Sequence, residues 1–426
     1  MTTFDVLATG GIVCFVLVVI MLVVSSRLPS SVKQLLCIGI VLRLVGSVLR
    51  YEVIYKFYGG RADAVGYFRE GWEYAAKLRQ FDFSPILQMA EARGTWWGTN
   101  FLRVISGSIL AIIGPSMLAE FMIFGLLSFV GLLGFAFAFR HAYPEVPWVN
   151  YLRWIWLFPS LWFWPASVGK EAILLLGLGI AVMGFVGKRD RIRWSTLLAG
   201  LAIVFVIRPQ LLGIILVALV VSQLFSFTGR WTFSKVVQTI VLSAIVLVGL
   251  RYSMQLIGIE EEGWEGIESY VANEPARRSG GTKTVVDPVA IGLQGVPLAV
   301  LNVFLRPFPW EASSPTVLIS SLEVVALVAI VLARRRNLLR SLRYWRSDRF
   351  LRLALAFIVI YPIALGMVAT NVGLLARQRI FLYPFVFLLL EARPRQIERP
   401  RNMPEHKRRL FPRGGVVGGV LDRTGA

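Results

Sequence analysis

The sequence predicts an all-α, polytopic integral membrane bundle of about eleven transmembrane helices, with re-entrant or interfacial helices at its outer face. Three observations carry this. Of 426 residues, 56% are hydrophobic and only 16% charged, which is more apolar than a soluble chain of this size. The apolar residues come in blocks, such as 6–25, 117–139, 235–250, 314–333 and 350–370; about 20 apolar residues span a bilayer core. The cations gather between these blocks rather than inside them.

The formal net charge is +20, concentrated at 188–193 (KRDRIR), 334–349 (RRRNLLRSLRYWRSDR) and 393–413. Because the clusters flank apolar blocks, they read as cytoplasmic loops under the positive-inside rule, and no nucleic-acid partner is expected. Cys14 and Cys37 fall inside apolar blocks and read as small buried residues. Two cysteines and two histidines support neither a disulfide framework nor a His-based metal centre. The N-terminus lacks a basic n-region and a small-residue cleavage site, so 6–25 reads as a retained span.

Taken in order, 6–25 and 34–50 form an opening hairpin with Arg27 and Lys33 in its inner turn. Residues 51–100 form an outer-face loop, and 101–113 is too short to span and reads as re-entrant or interfacial. Blocks 117–139, 150–165, 168–186, 194–207, 210–227 and 235–257 then cross alternately. A second outer loop covers 251–313; its apolar piece, closed by RPFPWE, reads as an interfacial amphipathic helix. Blocks 314–333, 350–370 and 379–391 complete a membrane domain of residues 1–391. Residues 392–426 read as a basic, disordered cytoplasmic tail, with the N-terminus outside.

This topology, drawn from apolar length and inner charge, gathers a set of charged residues at the outer boundary. They are Asp63 in GGRADAVGYF, Lys170 and Glu171 in WPASVGKE, Arg208 before Pro209, Arg306 and Glu311 in RPFPWE, and Arg377 and Arg379 in NVGLLARQR. Each has a structural reading as well. Asp63 would cap the helix beginning near Ala64. Lys170 and Glu171 would form a solvated hairpin turn. Arg208 and Arg306, each followed by proline, would end helices and reach for headgroups. Arg377 and Arg379 at a helix start oppose the helix dipole, which makes a purely structural role less comfortable. Trp97, Trp164 and Trp310 belong to an outer aromatic belt, whose faces also suit sugar or lipid stacking. Arg43, inside 34–50, is expected to pair with Glu120 or Glu323.

Chemically, the set suits an anionic, lipid-linked ligand. Lys170, Arg208, Arg306, Arg377 and Arg379 would hold phosphate or pyrophosphate, arginine with its bidentate fork. Asp63 would act as general base on a sugar hydroxyl, with Glu171 orienting Lys170. Placed cations would stabilise a phosphate leaving group. Asp63 with Glu171 would also suit Mg²⁺ or Mn²⁺, although nothing in the spacing requires a metal.

The stretches DAVGYFREGWEYA, FPSLWFWPASVGKEAILLLGLG, IRPQ, FLRPFPWEA and NVGLLARQRIFLYPF resemble a group of bacterial multi-spanning proteins of surface-polysaccharide assembly. That group is distantly similar to GT-C glycosyltransferases and Wzy-type polymerases. The resemblance covers most of 50–390. It implies a GT-C-like fold, a polyprenyl-phosphate-linked sugar or glycan as substrate, membrane lipids and other polysaccharide assembly proteins as partners, and a bacterial cytoplasmic membrane location. It also implies a catalytic acid in the first outer loop, where Asp63 stands. This chain departs from the pattern: the acid follows two helices and stands alone, whereas GT-C enzymes usually carry a paired acid after the first helix. Outer-face arginines, as in Wzy-type polymerases, match Arg208, Arg306 and Arg377. A lipid-linked glycan flippase and a non-catalytic assembly scaffold are the competing readings.

Overall fold

The computed structural model describes residues 3–84, 86–87, 96–187, 191–225, scattered positions between 237 and 251, 293–312, 314–369 and 372–393. Most of the expected span at 235–257, the acidic 258–287 stretch and most of the basic tail lie outside the described residues. Among those described, all regular structure is helical: α1 (Thr3–Ser25), α2 (Ser30–Lys56), α3 (Asp63–Leu78), α4 (Thr99–Ile113), α5 (Met117–Ala142), α6 (Val149–Leu157), α7 (Pro159–Phe163), α8 (Lys170–Val186), α9 (Trp194–Ile207), α10 (Pro209–Leu224), α11 (Val296–Leu305), α12 (Pro315–Ala333), α13 (Arg335–Tyr344), α14 (Arg349–Val368), α15 (Val372–Gln378) and α16 (Tyr383–Glu391).

Among the described residues, five helices, α1, α2, α5, α12 and α14, are long and apolar enough to cross a membrane; α15 and α16, bent by 49° to each other, would make a sixth. The expected count of about eleven rested on the lengths of apolar blocks, and several blocks fold into shorter helices. α9 and α10 have 14 and 16 residues, so they rise about 21 and 24 Å against a hydrocarbon core of about 30 Å. The proline at 209 divides them: Arg208 takes φ −153° and ψ 87°, outside the helical region, as a residue before proline is driven to do.

α8 lies at the centre, packed between α5 and α9. Glycines permit this. A Cβ on Gly179 would run into the Gly131 carbonyl, and one on Gly200 into the Ala181 amide nitrogen. Small residues let membrane helices approach backbone to backbone, where dispersion and not water exclusion holds them. By contrast, α1 is exposed along nearly its whole length, with Val16 alone buried among its described residues. Cys14 is exposed on it and Cys37 is partly buried, which corrects the expectation that both are buried.

α3 and α4 are amphipathic and run parallel, packed through Gly71 against Ser106 and Gly107 against Tyr74. Arg103 reaches Glu70 at 2.6 Å, and Arg79 Nε donates to the Ala111 carbonyl at 2.8 Å. The Gly98 amide, just before α4, donates to the Val206 carbonyl at the end of α9. The other end of α4 feeds directly into α5, whose Met117 Sδ accepts from Tyr55 near the end of α2 at 3.4 Å. The 101–113 segment therefore lies across one end of the bundle. Asp63 and Lys170 share that end.

The opposite end is closed by polar contacts of its own. Glu391 accepts from Trp154 Nε1 at 2.8 Å and pairs with Arg334 at 3.2 Å. Arg352 donates to the carbonyls of Ser222 and Arg346, both at 2.6 Å. Midway between, Arg43 is fully buried and its three guanidinium nitrogens have no hydrogen-bond partner among the described residues. Its guanidinium carbon lies 5.8 Å from the centroid of the Phe129 ring. The expected pairing with Glu120 or Glu323 does not form: Glu323 is taken by Ser160, and α2 and α5 set Arg43 against Gly125 and Phe129.

Gly179→Val should cost at least about 1–3 kcal/mol by overpacking, read as a lowered unfolding midpoint in detergent, whereas Gly66→Ala, with nothing within 4 Å of the added Cβ, should leave it unchanged or raised. Arg43→Met should be neutral or stabilising by about 1–4 kcal/mol, because it removes an unpaired buried charge without opening a cavity; a clear loss of stability would contradict an unpaired guanidinium.

Candidate functional site

The site forms where five helix ends meet. Asp63 is the first residue of α3, Lys170 and Glu171 open α8, Arg208 is the hinge between α9 and α10, and Arg377 and Gln378 close α15. Each position follows from local sequence. Gly169 before α8 is extended, and a Cβ there would stand 2.8 Å from Glu171 Oε2, so glycine lets the carboxylate fold back over the helix start. Gly98 adopts φ +67°, a left-handed conformation that glycine takes without penalty. The turn it makes brings the chain past Lys170 Nζ, 3.9 Å from where its Cβ would be.

Arg377 is the centre. Its Nε lies 2.9 Å from Glu171 Oε1, and its Nη1 lies 3.6 Å from Asp63 Oδ2. Glu171 is buried, with its side chain 6% exposed, while that of Asp63 is 67% exposed. The two carboxylates therefore differ in kind: one is locked by a guanidinium away from water, the other is held loosely and remains reachable. Asp63 makes no capping bond; the N-cap position of α3 is Ala62. The capping expectation is corrected accordingly.

Arg208 donates through Nη1 to Gln378 Oε1, and Tyr361 Oη donates to the same oxygen at 3.2 Å and to the Gln378 carbonyl at 3.1 Å. Lys170 makes no side-chain hydrogen bond or ion pair among the described residues, and lies within electrostatic reach of Arg208, Glu171, Arg377 and Asp63. Glu171 was expected to orient Lys170, but it is Arg377 that it engages. Tyr67, one turn into α3, is pushed above its usual phenol range by burial and by the charges of Asp63 and Glu171. It therefore stays a protonated donor at neutral pH.

Arg50, toward the C-terminal end of α2, was not foreseen. Its guanidinium donates to Ser167 Oγ at 3.4 Å, lies 5.1 Å from the Trp164 ring and 5.3 Å from the Phe163 ring, and feels Arg377, Glu171 and Asp63. The signal available in the sequence was an arginine seven residues beyond Arg43, two turns along the same helix face. Gln378, neutral and between two arginines, gave no signal.

Two predicted arginines are engaged elsewhere. Arg306 pairs with Glu311 at 3.0 Å, and its carbonyl accepts from Arg379 Nη2. Glu311 also accepts from the Phe308 amide at 2.9 Å, which closes RPFPWE on itself. Arg379 is buried. Both arginines are used in holding this loop against α15 and α16. The aromatics divide as well. Trp164 is buried beneath Arg50 and cannot stack on a ligand. Trp97 stands edge-on to Trp96 at 6.2 Å beside Gly98, and Trp310 is 80% exposed, stacked on Phe308 at 4.8 Å.

A metal does not fit between Asp63 and Glu171. The space where a divalent ion would bridge them is filled by the Arg377 guanidinium, and hard divalent cations want several oxygen ligands. Among the described residues no group of three or more His, Cys, Asp or Glu stands together. Four cations, Arg50, Lys170, Arg208 and Arg377, thus face two carboxylates at one end of the bundle. No known protein family, curated protein or solved structure matches this chain.

The two bridges to Arg377 should differ sharply in worth. Arg377→Met should cost about 3–5 kcal/mol, because it strands the buried Glu171 charge. Asp63→Asn should stay within about 1 kcal/mol, as exposed pairs do. Unfolding midpoints of the two variants in detergent check the ordering.

Proposed function

We propose that this chain is a membrane glycosyltransferase or polysaccharide polymerase acting on a polyprenyl-phosphate-linked sugar or glycan. In this reading it is a GT-C-like bundle of about eleven crossings, set in the bacterial cytoplasmic membrane with its site outward, its N-terminus out and its C-terminal tail in the cytoplasm. The observation that carries the reading is the asymmetric pair of carboxylates on Arg377 amid excess cations. A phosphate leaving group needs placed cations, and an attacking hydroxyl needs a reachable base.

The chemistry uses residues in distinct roles. Asp63 takes the proton from an acceptor hydroxyl. The freed oxygen bonds to the anomeric carbon, the bond from that carbon to the phosphate oxygen breaks, and the lipid-linked phosphate or pyrophosphate leaves with the electron pair. Lys170 and Arg208 hold the departing phosphate, with Arg377 beside them. Glu171 fixes Arg377, and Gln378 fixes Arg208 while Tyr361 holds Gln378. Arg50 adds positive potential from beneath. A transporter would instead line a path through the bundle with charge, whereas these cations gather at one end.

Asp63→Asn and Arg208→Ala should each abolish glycan assembly, by at least about 100-fold for loss of a general base, while protein abundance in the membrane is unchanged. Polymer formation in a complemented knockout and immunoblots of membranes measure the two quantities. Full activity in both variants would sink this assignment.

A further inference from the structure

The basic helix α13 plays no part in that site, and its surroundings single it out. It lies at the opposite end of the bundle, between α12 and α14. One face is pinned: Asn337 Nδ2 donates to the Leu390 carbonyl at 3.0 Å, and Ser341 Oγ donates to the Leu389 carbonyl at 2.8 Å. These are among the last carbonyls of α16, which have no partner within their own helix. Arg334, just before α13, adds its 3.2 Å bridge to Glu391. The helix is therefore fixed in rotation by three contacts to one neighbour.

That rotation decides what faces outward. Arg336, Arg340 and Arg343, spaced to lie on one helix face, are all exposed. Beside them Leu339 and Leu342 are 63% and 40% exposed. Arg335 and Arg346 are exposed at the two ends. No acidic residue occurs from 334 to 347, and the single acid that follows, Asp348, accepts the Leu351 amide at 2.9 Å as the N-cap of α14. An arginine face alone would suit any polyanion. Arginines flanking exposed leucines, on a helix fixed between two membrane-length helices, suit an anionic surface with an apolar interior behind it.

We infer that α13 is an anionic-phospholipid site: Arg336, Arg340 and Arg343 hold headgroup phosphates while Leu339 and Leu342 enter the acyl layer beneath them. Arginine suits this better than lysine, because its fork takes two phosphate oxygens at once. The occupant is lipid, not nucleic acid or an acidic protein, because exposed leucines interrupt the polar surface of a helix that joins two helices of membrane-spanning length.

The test uses the full-length protein in detergent, titrated with phosphatidylglycerol or with phosphatidylcholine of matched chain length. Wild type should gain several degrees in unfolding midpoint with the anionic lipid and little with the zwitterionic one. The gain should shrink in high salt, as exposed charge contacts do. Arg336→Gln, Arg340→Gln and Arg343→Gln combined should leave the lipid-free midpoint unchanged and remove most of the gain. Leu339→Ser with Leu342→Ser should weaken retention of co-purified anionic lipid several-fold. An equal gain in wild type and the triple variant, an equal response to both lipids, or tight binding of a labelled oligonucleotide without lipid selectivity would overturn the assignment.

Discussion

The structure turns on the bridge between Glu171 and Arg377. A carboxylate at the start of an apolar helix, shielded from water, requires a partner, since an unpaired one would neutralise or unfold its surroundings. Here the partner comes from α15, more than two hundred residues on. The bridge draws α8 and α15 together, and the same guanidinium reaches out to Asp63 on α3. Three helix ends distant in sequence are thereby held around one cation. Arg208, tied to the next residue of α15 through Gln378, makes a fourth.

The same rule organises the rest of the polar interior. Glu323 sits inside a membrane-length helix, and both its oxygens are used, accepting from the amide and hydroxyl of Ser160. That amide is an orphan because Pro159 restarts the chain as α7. Glu391 takes Trp154 and Arg334, and Arg352 takes two carbonyls. Arg43 and Glu120 are exceptions among the described residues: both are fully buried with their charged-group atoms outside any hydrogen bond, and the Arg43 guanidinium lies beside the Phe129 ring. The polar contacts thus close both ends of the bundle and leave its middle to glycine-mediated contact between α5, α8 and α9.

Much of the candidate site was legible because its members stand next to chain-breaking residues. Arg208 precedes Pro209, Lys170 and Glu171 follow Gly169, and Asp63 follows closely on the Gly59–Gly60 pair. Such residues mark where helices end, and helix ends in an apolar protein gather at two surfaces. Arg306 met the same test, being followed by a proline, and Arg379 lies two residues beyond Arg377. Both were diverted to hold the RPFPWE loop. Sequence position identifies a boundary but not which partner a boundary residue finds. The three tryptophans show the same gap: Trp164 turned inward beneath Arg50, whereas Trp310 stayed exposed.

By itself, the sequence determined that the chain is helical and membrane-like, and that its ionisable residues collect at boundaries. Apolar length and the energetic penalty on buried charge act locally and can be read along the chain. Only the tertiary structure decided how many blocks become helices of spanning length, because a proline or a short rise divides a block without changing its composition. It alone decided that Asp63 lies at the same end as Lys170, since that depends on α4 lying across the bundle rather than through it. It alone brought in Arg50 and Gln378, whose roles come from neighbours far away in sequence. The physical reason is the same in each case: a charge shielded from water is placed by whichever partner the packing brings to it, and packing is a property of the whole chain.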